Sequence, residues 1–261
     1  MISSVPKGPP VIAQTLKNQG LTAELRWRVG ALLAMVVVSA TATGWLLDGV
    51  REGGDLSLWD GPTLHWLVGH RDATATVAMT TITAIGSEVV TSAIAALVVV
   101  LLAVRRRRVE AFLLAAALGS AEAISLVLKH AVGRLRPPAS AVLGPVEHTL
   151  SFPSGHTIGM ATFTLALAYL WWRARPVRAR AWLGWGVATL MTTWMAASRL
   201  YLGDHWLTDV VASIVLSWGV VATVVLVDIW AQQRSGQRSW LDGGIADSVA
   251  RLRRKGVPLV D

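Results

Sequence analysis

The chain has 261 residues, of which 53% are hydrophobic and 15% charged, with a formal net charge of +8 and a mean hydropathy of +0.51. Soluble domains carry about 25% charged residues, so this composition excludes an ordinary water-soluble domain and, equally, a disordered chain. Cysteine is absent, which excludes a disulfide framework, a thiolate metal site and a cysteine nucleophile.

A membrane-spanning helix needs about 20 mostly apolar residues. Six stretches qualify in chain order: Val29 to Leu47, Val89 to Val104, Ala111 to Leu128, Thr157 to Trp172, Ala181 to Ala197, and Trp206 to Trp230. The expected fold is an all-α integral membrane protein, a bundle of six transmembrane helices. Residues 1–28 read as a polar, basic cytoplasmic segment, residues 29–230 as the membrane domain, and residues 231–261 as a solvated cytoplasmic tail with a break at Gly243 and Gly244. Between the first two spans, residues 48–88 read as an interfacial segment on the outer side. Thirteen tryptophans against two tyrosines and three phenylalanines suit a protein whose indoles settle at the headgroup level.

Lys and Arg in short loops set orientation, because basic loops resist translocation. With six spans the termini share one side, and eighteen of the 24 cations fall there, including the run Arg105 to Arg108 and the group Arg173, Arg175, Arg178 and Arg180. Both termini are therefore expected in the cytoplasm, in the cell membrane. Nucleic acid is a poor explanation of the charge, since the cations recur loop by loop on one side and form no single patch. Of the six cations left on the outer side, Lys129, Arg134, Arg136 and Arg199 cluster in segments that topology leaves unexplained.

Those segments are three: Lys129 to Pro137 at the outer end of the third span; Pro153-Ser154-Gly155-His156 opening the fourth; and Ser198-Arg199, followed after five residues by His205 and after three more by Asp209. Singly, each has a structural account: snorkelling cations at a helix end, a turn and helix start, and a hydrogen-bonded His and Asp one helical turn apart. If spans three to six bundle, their outer ends bring these residues to one locus. Lys129, Arg136 and Arg199 would repel a metal, so no metal and no cofactor is expected, whereas an anion fits. Ser154 and Gly155 add a hydroxyl and an uncrowded amide at a helix N-terminus, where the orphan N–H groups and the dipole favour a phosphate. Asp209 can take the Nδ1 proton of His205 and leave Nε2 as a nucleophile, while His156 is placed for acid/base work.

In residue type, order and spacing, these segments resemble the three-part signature of the type 2 phosphatidic-acid phosphatase superfamily, over about Lys129 to Asp209. The resemblance implies a six-span, metal-independent phosphatase working through a phosphohistidine on His205, with Asp209 orienting it and His156 as general acid/base. It implies phosphoryl contacts for Lys129, Arg136, Ser154, Gly155 and Arg199. Arg134, in the spacer, is carried only as an additional phosphate contact.

A site at the outer lip of a membrane bundle favours a lipid phosphate whose tail stays in the bilayer. The first expectation is an outer-leaflet polyprenyl mono- or diphosphate. The alternatives are phosphatidic acid, diacylglycerol diphosphate or phosphatidylglycerol phosphate and, in another class, a lipid phosphotransferase. Two further carboxylates, Glu88 and Glu122, lie at or inside the apolar stretches, where ionisable residues are candidates for function or for structural pairing.

Overall fold

The computed structural model describes the backbone of residues 11–254 and the side chains of residues 23–235. It is helical, with α1 (Val11–Glu52), α2 (Asp60–Gly69), α3 (Ala73–Ile85), α4 (Glu88–Val104), α5 (Arg108–Val132), α6 (Gly155–Ala174), α7 (Arg178–Tyr201) and α8 (Leu207–Arg254). Among the described residues no strand is present.

Local chemistry sets the breaks. Asp72 caps α3 by accepting the Ala75 N–H at 2.9 Å, and Ser87 caps α4 by accepting that of Val90 at 3.3 Å. At the end of α5, Gly133 adopts φ +64 and its N–H returns to the Lys129 carbonyl at 2.9 Å, a left-handed stop that L side chains rarely adopt. α6 sits at the centre, against α5, α7 and α8, while α1 packs on α8 and α3 on α7. Leu114, Ala117, Leu165, Ala166, Ala188 and Val221 form the main apolar core. Small residues allow close approach: a Cβ on Gly184 of α7 would lie 3.2 Å from that of Ala168 on α6, the packing that membrane helices use without a hydrophobic drive between them.

Three helices are each long and apolar enough to cross a membrane, over Ala23–Glu52, Arg108–Val132 and Leu207–Ser235. α3 and α4 qualify only together, bent by 41° at their junction, so the second expected span is one limb of a broken pair. Residues 48–88 accordingly hold the end of α1, the short α2 and the apolar α3, where the sequence suggested a single interfacial segment. α6 and α7 contain the expected fourth and fifth spans but do not by themselves qualify as long and apolar enough to cross a membrane, and Thr157, Thr162 and Thr192 on them are buried. Thr162, for instance, donates to Ser217 of α8 at 3.2 Å. The boundaries at both ends shift as well. α1 begins at Val11, so most of the polar N-terminal segment is continuous with the first span, and α8 runs through Gly243 and Gly244 without a break. The expectations for residues 1–10 and 255–261 lie outside the described residues.

Candidate active site

α5 and α7 end, and α6 and α8 begin, at the same end of the bundle, so the three segments meet. The turns between α4 and α5 and between α6 and α7, which carry Arg105 to Arg107 and Arg175, lie at the opposite end.

His205 sits in the turn before α8, 1% exposed. Its Nδ1 is 3.3 Å from Asp209 Oδ2, and its Nε2 is 3.1 Å from Arg136 Nη1. A guanidinium only donates, so Nε2 accepts here and the proton resides on Nδ1, towards Asp209. Burial pulls the imidazole down to about 4, against the opposing pull of Asp209; the ring is a neutral base with its lone pair aimed at the cations. Asp209, fully buried, is held on all sides. It accepts the Trp206 N–H at 3.0 Å, Arg134 Nη1 at 2.7 Å and the Ser151 hydroxyl.

Arg136 leaves α5 through the Gly133 turn and lies across the site. It donates to the Thr149 carbonyl at 2.8 Å and the Asp204 carbonyl at 2.9 Å, and pairs with Glu147 at 2.6 Å. Arg199 donates to the other Glu147 oxygen at 2.6 Å and pairs with Asp204 at 3.0 Å. Two guanidinium forks thus converge on one carboxylate. Although burial pulls the Glu147 carboxyl up, Arg199 and Arg136 hold it below the usual range, while burial raises that of Asp204 despite Arg199. Lys129 Nζ donates to the Leu150 carbonyl at 2.9 Å, in the loop leading to Ser154.

Ser154 precedes α6 without capping it; its Oγ meets Thr157 Oγ1 at 3.0 Å. The first intrahelical N–H is that of Ile158, to the Ser154 carbonyl at 3.0 Å, so the amides of Gly155, His156 and Thr157 lack acceptors within the helix. His156, in this first turn, faces Glu88 at the start of α4, with Nδ1 3.4 Å from Oε1. Both residues, with Gly155, line a cavity of about 460 Å³ between α4, α5 and α6 that is otherwise mostly apolar and also includes Glu122.

Arg134 is arranged differently from the other cations. It reaches Asp60 at 2.5 Å, Asp209 at 2.7 Å and Thr208 at 2.6 Å, and stacks over Trp206 with its guanidinium 5.4 Å from the ring centroid. Asp60, from α2, also accepts the Thr208 N–H at 2.9 Å. Sequence reasoning missed Asp60, Glu147, Ser151, Asp204 and Thr208. The available signal was charge: Asp60 and Glu147 are carboxylates in stretches otherwise read as connectors.

Residues 110–233 match the PAP2 superfamily. Phosphatidylglycerophosphatase B of Escherichia coli strain K12 is 38% identical over 89 residues, covering 34% of this chain and 31% of that protein. Decaprenylphosphoryl-5-phosphoribose phosphatase of Mycobacterium tuberculosis strain H37Rv is 37% identical over 120 residues, covering 45% of this chain and 61% of that protein. The chain thus spans less than two thirds of either relative. In three dimensions it shares the fold of a transmembrane PAP2-type phosphatidylglycerolphosphate phosphatase from Bacillus subtilis, with a TM-score of 0.62 at 21% identity over 77% of this chain and 96% of the other. The chain is a membrane protein by its long apolar helices, and all three groups of its candidate site residues lie within residues 110–233, the stretch that matches the PAP2 superfamily.

Proposed function

We propose that this protein is a metal-independent lipid phosphatase that works through a phosphohistidine on His205. The observation that carries the reading is the pairing of the two His205 nitrogens, Nδ1 with Asp209 and Nε2 with Arg136. It is the orienting logic of a catalytic triad, applied to phosphorus. In the first step Nε2 attacks the phosphorus, the bond from phosphorus to the leaving oxygen breaks, and His156 gives that oxygen a proton. In the second, water attacks the phosphorus, His156 takes the proton of the water, and the P–N bond breaks to release phosphate and restore His205.

Arg136 and Arg199 supply the forks for the phosphoryl oxygens, where Glu147 now sits between them. Lys129 contributes charge, and Ser154 with the free amides at Gly155 completes the cradle. Arg134 acts on Asp209 rather than on phosphate, since its guanidinium is committed to Asp60, Asp209 and Thr208. The cavity between α4, α5 and α6 ends at His156, a place for the lipid tail on the leaving-group side.

The reading includes six passes through the membrane, with α3 and α4 forming one of them, both termini in the cytoplasm and the site at the outer face of the cell membrane. The substrate favoured is a polyprenyl mono- or diphosphate. The mycobacterial relative, named for a decaprenylphosphoryl substrate, supports that choice, and the Escherichia coli relative, named for phosphatidylglycerophosphate, supports the alternative.

The test is phosphate release by the purified protein from polyprenyl monophosphate, polyprenyl diphosphate, phosphatidic acid and phosphatidylglycerol phosphate, with chelator present. His205→Ala is expected to abolish release from whichever lipid is preferred while the variant keeps its helical content and monodisperse elution. Full activity in that variant, or dependence on a divalent ion, overturns the reading.

A further inference from the structure

Glu88 belongs to none of the motif segments and lies outside the matched residues 110–233, yet five features of the structure lead to it. The His156 Nδ1 atom is buried and makes no hydrogen bond to any other group, and the carboxylate of Glu88 stands 3.4 Å away. Gly155, adjacent to that histidine, is where the carboxylate passes: a Cβ there would collide with Glu88 Oε1. Two residues before Glu88, a Cβ on Gly86 would collide with the methyl groups of Met160 and Met195, so the bend between α3 and α4 is packed tightly against α6 and α7. Ser87 caps the helix at this point, which makes Glu88 the first residue of a helix whose start is fixed. Finally, Glu88, Gly155 and His156 lie together in the cavity between α4, α5 and α6.

We propose that Glu88 is the positioning residue of the acid/base histidine: its carboxylate accepts the Nδ1 proton of His156 and leaves Nε2 as the atom that exchanges protons with the leaving group. This rests on the assignment of His156 under Proposed function. The proton balance gives the pairing a purpose. The imidazolium hands its Nε2 proton to the departing oxygen and becomes the neutral Nδ1–H tautomer, still bonded to Glu88. That tautomer has its lone pair on Nε2, as required to take the proton of the attacking water. The site thus holds two carboxylate–histidine pairs. Asp209 with His205 is buried, while Glu88 with His156, the Glu88 side chain being 56% exposed, stands at the mouth of the cavity.

A positioned acid matters in proportion to how poor the leaving group is, and this separates positioning from a structural role. The full chain is assayed for kcat/KM, which reports steps through leaving-group departure, on a polyprenyl monophosphate, whose alkoxide needs a proton, and on p-nitrophenyl phosphate, whose phenolate does not. Glu88→Ala is expected to lose about tenfold or more on the lipid, part of the roughly 10²–10⁴-fold that a positioned acid contributes, and much less on the nitrophenyl ester, whose turnover also reports folding. Glu88→Gln, which keeps an acceptor for Nδ1–H, is expected to recover part of the loss. His156→Ala is expected to show the same leaving-group pattern with a larger amplitude. Equal losses by Glu88→Ala on both substrates, or none on the lipid, overturn the assignment of Glu88. A flat pattern in His156→Ala overturns the assignment of His156 as acid and this inference with it, whereas the pattern in His156→Ala without it in Glu88→Ala overturns this inference alone.

Discussion

Burial governs the chemistry of His205. An exposed imidazole is half protonated near pH 6.5, but here the charged form is disfavoured until the pH falls to about 4. The folded value lies below the unfolded one, so the unfolded chain binds more protons between these values. His205 therefore lowers stability as the pH falls from about 6.5 to 4, and its imidazole remains neutral over most of that window. In ¹⁵N-histidine NMR, with the His205 resonance identified by its loss in His205→Ala, the ring is expected to stay neutral from pH 8 to 5. A midpoint near 6.5 would contradict burial as the controlling influence. Beside it, Arg134, from the spacer between Lys129 and Arg136, is held by carboxylates from two distant helices. Its two terminal nitrogens pair at once with Asp60 at 2.5 Å and Asp209 at 2.7 Å, the fork that lets one guanidinium hold two carboxylates.

Each site residue is delivered by the end of a helix, and the ends depend on a few backbone positions. Gly133 stops α5 and turns the chain towards Arg136. Gly203, at φ +80, allows the turn carrying Asp204 and His205 to pass against the Ala141 carbonyl, where a Cβ would collide. Below the site, α1 and α8 are joined through Ser39, whose Oγ donates to the Val215 carbonyl at 2.7 Å, and Ser39 occupies the space beside Gly219 that a Cβ would need. Gly219→Leu should therefore force the two helices apart and cost about 1–3 kcal/mol, as overpacking does in a well-filled core. The check is a lower melting temperature in detergent, with a smaller drop for Gly219→Ala. An unchanged melting temperature for Gly219→Leu would mean that α1 does not pack on α8 through this contact.

At the scale of the whole molecule, the arginine-rich turns and the site occupy opposite ends of the bundle. By the bias of basic loops to the cytoplasm, the proposed orientation puts the site outside. The chain lacks cysteine, so single cysteines report sidedness without background. Val146→Cys, in the loop at the site, is expected to react with a membrane-impermeant maleimide on intact cells. Val177→Cys, in the turn between α6 and α7, should react only after permeabilisation. Both parent side chains are exposed, at 44% and 53%, and the opposite labelling pattern would invert the proposed topology.

The sequence by itself determined that the chain is helical and made for a membrane, because apolar length and scarcity of charge are properties of composition and order alone. It also singled out Lys129, Arg134, Arg136, Ser154, Gly155, His156, Arg199, His205 and Asp209, because cations on the side where basic loops are scarce, and the spacing of a known family signature, need no coordinates to be recognised. It did not reveal that α3 and α4 form one bent unit, or that α6 and α7 carry polar groups inward, because hydropathy averages over a window while burial depends on what a helix faces. Only the tertiary structure decided the partners. Asp60 lies far from Asp209 in the chain, yet Arg134 bridges them, and Glu88 reaches His156 from a helix with no motif of its own. Carboxylates of this kind carry no local signal, since their part depends on which cation or imidazole the packing of distant helices sets beside them.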